Sequence, residues 1–228
     1  MNKFDFSISS YCNAACPACK RYENFGSEIY DPHDNLHPGL NQVHMDFEKF
    51  KFIINRDINQ FKNADVTFEG ELGDPLVNPK VKDFIYFGSE IFNSIRVVTN
   101  GGVRSKQFFK KIGDTLENVQ FFFSVDGLDD YTNQRYRRKV KTQKAIENMI
   151  AHRNTKYGDH NTWWKYIIFA HNWFEIPEVL DFAKKHDVYI IFVLNTRAKF
   201  VLPNRLISKI SDNYEKYKFK KSRLSLGN

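Results

Sequence analysis

Residues 4–19 read FDFSISSYCNAACPAC. The first six alternate apolar and polar side chains, a period of two that predicts a half-buried β-strand. The strand runs straight into a loop carrying Cys12, Cys16 and Cys19, which are the chain's three cysteines and fall within eight residues. An odd number so tightly clustered argues against a disulfide framework and for a metal in a reducing compartment.

Outward from this stretch the same unit recurs. Asp46 is a candidate N-cap, followed by Phe47, Phe50, Ile54 and Ile58 at helical spacing. Residues 65–68, 95–99, 119–124, 164–169 and 188–194 read as further strands. Between them lie helices carrying Val81, Phe84, Ile85 and Ile91, then residues 105–112, then residues 142–152 with Ala145, Ile146 and Met149 on one face. A further helix carries Ile176, Val179, Leu180 and Ala183. Six strand–helix units in alternation, the last poorly defined, predict an α/β fold with a parallel sheet and helices packed outside it. The 228 residues fall short of the roughly 250 of an eight-unit barrel, so an open, partial (βα)6 TIM barrel fits the length. After Pro203 the pattern weakens. The expected division is a core domain over residues 1–198 and a basic C-terminal extension over 199–228, helical or truncated.

The 22 Phe and 11 Tyr predict a bulky aromatic interior. The longest apolar runs are too short to span a membrane, and Met1-Asn2-Lys3 leads directly into the first strand with no signal peptide. A cytoplasmic protein is expected. The net charge of +7 is lopsided: residues 199–228 hold eight Lys/Arg against two Asp/Glu. Such a tail suits nucleic acid or an acidic partner, although a solvated terminal helix is the commoner use of a charge run.

The chemically interesting residues follow the strands. Glu69-Gly70-Glu71-Leu72-Gly73-Asp74-Pro75 follows the second, Asn100-Gly101-Gly102 the third, and Ser124-Val125-Asp126-Gly127 closes the fourth. His171-Asn172 follows the fifth and Asn195-Thr196-Arg197 the sixth. In α/β sheets, ligand chemistry gathers at the carboxyl ends of strands. The cysteines form C-x3-C-x2-C. Three thiolates hold three irons of a cubane cluster and leave the fourth iron open. S-adenosylmethionine (SAM) can fill such a position through its amino and carboxylate groups. A zinc site would need a fourth ligand, with His33, His37 and His44 in the following loop as candidates.

On these residues the chain resembles the radical SAM superfamily, whose hallmark is C-x3-C-x2-C after the first strand of a (βα)6 partial barrel. The resemblance covers residues 4–198. It implies a [4Fe-4S] cluster on Cys12, Cys16 and Cys19, and SAM cleaved reductively to a 5′-deoxyadenosyl radical. It also implies an electron donor such as flavodoxin or ferredoxin. Gly73-Asp74-Pro75 resembles the loop that holds the SAM amino group, with Glu71 a competitor for Asp74. Thr99-Asn100-Gly101 resembles the third-strand loop that faces the cofactor, Ser124 and Asp126 resemble groups beside the SAM ribose and carboxylate, and Arg137 resembles a partner of the SAM carboxylate. Arg135 and Arg138 stand beside Arg137 as alternatives. Phe169-Ala170-His171-Asn172 and the helix after it weakly resemble members with SPASM or Twitch extensions. No cysteine follows Cys19 to ligate an auxiliary cluster, and Ala18 stands where many members carry an aromatic residue. His171 reads either as a catalytic group or as a polar residue packed at a strand end.

The reading is an enzyme, an oxidoreductase or maturase acting on a peptide, a nucleotide or a small metabolite. The SPASM-like features lean to a peptide. The alternative is a non-catalytic metal-binding module, either a zinc protein or an iron–sulfur carrier.

Overall fold

The computed structural model describes residues 2–17, 19–22, 36, 39–195 and 202–225. Strands β1 (Lys3–Phe6), β2 (Asp65–Phe68), β3 (Ser94–Thr99), β4 (Val119–Ser124), β5 (Thr162–Ile168), β6 (Tyr189–Leu194) and β7 (Ser222–Ser225) form one sheet in the order of the sequence. Every neighbouring pair is parallel. The helices are α1 (Phe47–Arg56), α2 (Ile58–Phe61), α3 (Val81–Ser89), α4 (Lys106–Thr115), α5 (Asp130–Asn133), α6 (Thr142–Arg153), α7 (Gly158–Asn161), α8 (Ile176–Lys185) and α9 (Asn204–Tyr217).

The expected six strands are one short. The basic C-terminal stretch supplies α9 and then β7, which pairs with β6 from Ile190↔Ser222 to Val193↔Ser225. β7 reads SRLS, a polar segment without strand periodicity, so only its pairing with β6 makes it a strand. Residues 23–35, 37 and 38, between Cys19 and α1, lie outside the described residues. Ala18, His33, His37, Thr196 and Arg197 lie outside them too.

Local chemistry explains the elements. Asp46 caps α1 by accepting a hydrogen bond from Lys49 N at 2.9 Å. Pro177 opens α8, where its missing N–H costs nothing. Along β5 burial alternates residue by residue, with Trp164, Tyr166 and Ile168 buried on the helix-covered face. The intervening side chains, Trp163, Lys165 and Ile167, face the other way. The core between sheet and helices is aromatic, as composition predicted. Phe109 lies 5.1 Å from Phe121 and 5.2 Å from Phe123, and Phe50 lies 4.9 Å from Phe84. Each fully buried ring contributes roughly 1.5–3 kcal/mol of transfer free energy, which makes this face the main source of stability. All strands being parallel, their carboxyl ends fall on one rim.

A candidate cofactor cavity at the strand ends

The cysteine loop is fastened to that rim at several points. Asp74 N donates to Tyr11 O at 2.8 Å, Ala15 N to Arg138 O at 3.0 Å, and Asn100 Nδ2 to Asn13 Oδ1 at 2.8 Å. Gly73 is needed for the first of these joins. A Cβ there would stand 2.1 Å from Ser9 O, so only glycine lets the second loop approach the first so closely.

The result is a cavity of about 560 Å³. Cys12, Cys16 and Cys19 open into it together with Gly73, Asp74, Thr99, Asn100, Ser124 and Arg137. Six of the nine residues singled out in the sequence are non-cysteine positions, and five of those six line this space. The exception is Asp126, which sits behind the wall, fully buried, and grips Arg137.

The acidic groups named for the SAM contacts have partners within the protein. Asp74 was expected to receive the SAM ammonium. Its carboxylate is already occupied: Oδ1 accepts from Leu76 N at 3.0 Å, Oδ2 from Asn100 N at 2.8 Å, and Thr99 Oγ1 donates to both. Burial pushes its pKa up, while these donors pull it back down. Glu71, its competitor, forms an exposed ion pair with Lys20. Asp126 accepts from Ile167 N at 2.8 Å and from Arg137 Nε at 2.6 Å. Burial works against the Arg137 charge, but Asp126 and Cys16 hold its pKa above the ordinary value. Arg135 donates to Tyr131 OH at 3.0 Å rather than reaching the cavity.

The thiols respond to the same environment. Burial, with the nearby Asp74 charge adding to it, pushes Cys12 up to about 12. Burial raises Cys16 as well, with Arg137 opposing. Such thiols ionise only when a cation joins them, and metal ligation is the usual way. Donors already point at sulfur: Ala14 N lies 3.3 Å and Asn100 Nδ2 3.8 Å from Cys12 Sγ. The donor set therefore fits an iron–sulfur cluster. Among the described residues no group of three or more His, Cys, Asp and Glu is drawn together around a single ion position. His44, one candidate fourth zinc ligand, is instead held by Ser9 Oγ at 3.0 Å and packs its ring against Tyr11 at 4.6 Å.

Ser124 is buried, and its hydroxyl makes no protein hydrogen bond among the described residues. His171 stacks on Phe169 with ring centroids 5.2 Å apart, and burial lowers its pKa. Arg21, Tyr136 and Lys165 are among the lining residues that were missed. A lone lysine inside the apolar run WWKYII was a readable signal for Lys165. Arg21 and Tyr136 gave none beyond their nearness to Cys19 and Arg137.

No family model matches the chain, and no curated protein matches it in sequence. Solved structures do match in fold. The chain resembles Streptococcus suis SuiB bound to precursor peptide SuiA, with a TM-score of 0.69 at 12% identity, over 98% of this chain and 48% of SuiB. SuiB bound to S-adenosylmethionine gives a TM-score of 0.67 at 12% identity, over 98% and 47%. The anSMEcpe protein with bound AdoMet gives 0.68 at 14% identity, over 95% of this chain and 57% of that one. These values establish a shared fold. The chain spans about half the length of the solved structures it matches.

Proposed function

We propose that this chain forms the core of a radical SAM enzyme, with a [4Fe-4S] cluster on Cys12, Cys16 and Cys19 and a peptide as substrate. One observation carries the reading. Three cysteines open together onto a cavity shared by the loops after β1, β2, β3 and β4. The fold likeness supports it, because SuiB has been solved with S-adenosylmethionine and with a precursor peptide, and anSMEcpe with AdoMet and a peptide. The partial-barrel architecture, the cytoplasmic setting and a flavodoxin or ferredoxin donor belong to the same proposal.

Cys12, Cys16 and Cys19 would hold the cluster, which would supply the electron for reductive cleavage of SAM. The chain's own residues prepare the place. Asn100 and Ala14 direct N–H groups at Cys12 Sγ, an arrangement that tunes an iron–sulfur potential. Arg137, clamped by Asp126, places a fixed positive charge beside Cys16. Ser124 offers its hydroxyl to the ribose, and Gly73 lets backbone approach the ligand.

Anaerobic reconstitution tests this directly. The expected product is a brown protein with equal iron and sulfide that releases 5′-deoxyadenosine from SAM under dithionite. Cys16→Ala should lose both properties. A protein that takes up one zinc and no sulfide, or a full cluster that never cleaves SAM, overturns the reading and favours a non-catalytic metal module.

A further inference from the structure

The segment between α5 and the first turn of α6 carries Arg135, Arg137, Arg138, Lys139, Lys141 and Lys144 and no acidic residue. Arg137 turns inward to Asp126, and Arg135 lies over the Tyr131 ring at 4.9 Å. Lys139, Lys141 and Lys144 are exposed. Other exposed cations have acidic partners, Lys20 with Glu71 and Lys106 with Glu147. Lys141 faces Asp130, whose carboxylate already accepts from Thr142 N at 2.8 Å, and Lys144 donates to Val103 O at 3.1 Å.

The turn beneath these lysines is fixed. Tyr136 and Val140 are buried, Val140 N donates to Arg137 O at 3.1 Å, and Lys139 takes a φ of 67° at the tip. That left-handed backbone is uncommon for a residue with a side chain. Lys141 is the N-cap of α6 and Lys144 lies in its first turn, where the helix dipole opposes a cation. Their charges cost the helix stability, so they point to a task outside the fold.

The turn also touches the cysteine loop. Arg138 O accepts from Ala15 N at 3.0 Å, and Ala15 is the residue before Cys16. Arg137 lines the cavity, whereas Lys139, Lys141 and Lys144 stand outside its lining. The basic surface therefore meets the cysteine loop from behind.

We propose that residues 138–144 form the docking surface for an acidic electron-carrier protein, whose electron reaches the cysteine loop through Arg138 and Ala15. The proposal rests on the radical SAM reading for the use of that electron, and not for the docking. The reduced carrier loses one electron and the cluster gains it, with no bond made or broken and no proton required. Entry from behind leaves the cavity free to hold SAM and substrate during the transfer.

The probe is a flavodoxin, an acidic flavoprotein that carries single electrons. In the first arm, calorimetry measures binding of the oxidised flavodoxin to the whole chain, before and after cluster reconstitution. Binding should weaken as salt is raised. The triple variant Lys139→Glu, Lys141→Glu, Lys144→Glu should weaken it about 10- to 100-fold. The same charge change in the basic tail, Lys209→Glu, Lys216→Glu, Lys220→Glu, should leave it near the wild-type value. In the second arm, 5′-deoxyadenosine release is followed with reduced flavodoxin or with dithionite as the reductant. The turn variant should slow the first by the same factor and leave the second unchanged.

Thermal unfolding separates docking from folding. The turn variant should melt at or above the wild-type temperature, because it removes cations that oppose the helix dipole. Replacing the three lysines by Gln should give an intermediate loss of binding. Equal losses in the turn and tail variants would mean that net charge alone is read, and the proposal falls. It falls equally if the wild type binds no flavodoxin at low salt, or if the turn variant loses binding of a single-stranded RNA while keeping that of flavodoxin. If the reconstituted wild type never cleaves SAM with dithionite, the proposed function falls, and the binding arm alone decides the docking surface.

Discussion

Two buried aspartates sit at matching places in the sheet, one after β2 and one after β4, each beside a glycine. Asp74 follows Gly73 and Asp126 precedes Gly127. Both were expected to touch a ligand, and each is used by the protein itself. Asp74 is surrounded by neutral donors, two backbone N–H groups and the Thr99 hydroxyl, and it stitches the β2 loop to the end of β3. Asp126 is matched by a full opposite charge, and it ties β4 to Arg137 and to Ile167 of β5. One acid is solvated by dipoles and the other by an ion. The consequence is a difference in what its loss leaves behind. Without Asp74, donors lose an acceptor. Without Asp126, a guanidinium is stranded.

The largest effect should therefore follow Asp126→Ala. Urea unfolding should show a loss of about 3–5 kcal/mol, the usual cost of breaking a buried pair from one side. The pair Asp126→Asn with Arg137→Met should recover much of that loss. If the double variant is no better than the single, the ion-pair account of Asp126 breaks down.

Asp74→Asn should cost less, about 1–3 kcal/mol. The amide keeps one acceptor oxygen but turns an NH2 group toward donors that cannot accept. A loss as large as that of Asp126→Ala would erase the distinction between the two acids.

His152 provides a control away from both. It is buried under β4 and β5, with Nδ1 2.7 Å from Thr162 Oγ1, and burial lowers its pKa to about 3. The unfolded chain takes up this proton near pH 6.5, which the folded protein resists. Stability should fall as pH drops from about 6.5 toward 3, and it should be fully present above that window. Each kcal/mol lost lowers the melting temperature by about 2–4 °C in a domain of this size. His152→Gln should flatten the acid slope. An unchanged slope would mean that other groups carry it.

The smallest effect is expected at Ser124, whose hydroxyl is not spent on the protein. Ser124→Ala should leave stability within about 0.5 kcal/mol. On the proposed function, it should weaken SAM about 2- to 12-fold, the worth of one hydrogen bond. A large stability loss would place Ser124 with the two aspartates as a structural group.

Most of the sheet was legible in the sequence because β3, β4, β5 and β6 are rich in Val, Ile and Phe, and burial on one face enforces their period. β7 was not legible, since SRLS has no apolar periodicity and takes its form from β6. The four-residue helices α5 and α7 were also missed, being shorter than any periodic signal. At the cavity, the cysteines, Gly73 and Asn100 could be read because spacing and residue type carry their chemistry. The partners of Asp74 and Asp126 could not. They depend on the ends of β3 and β5 arriving beside loops 25 to 41 residues away in the chain. Arg21 escaped for the same reason. Its place in the cavity lining exists only once the loops have come together.

The strand order, in which each strand pairs with the one made just before it, has a consequence for synthesis. As the chain leaves the ribosome, every new strand finds its template already in place, and no strand must wait for a segment not yet translated. Assembly can proceed vectorially, with a single growing edge that advances from β1 to β7. On that route the cysteine loop precedes the strands that surround it and remains open until β3 and β4 are added, so the cavity takes shape only once β4 has been made.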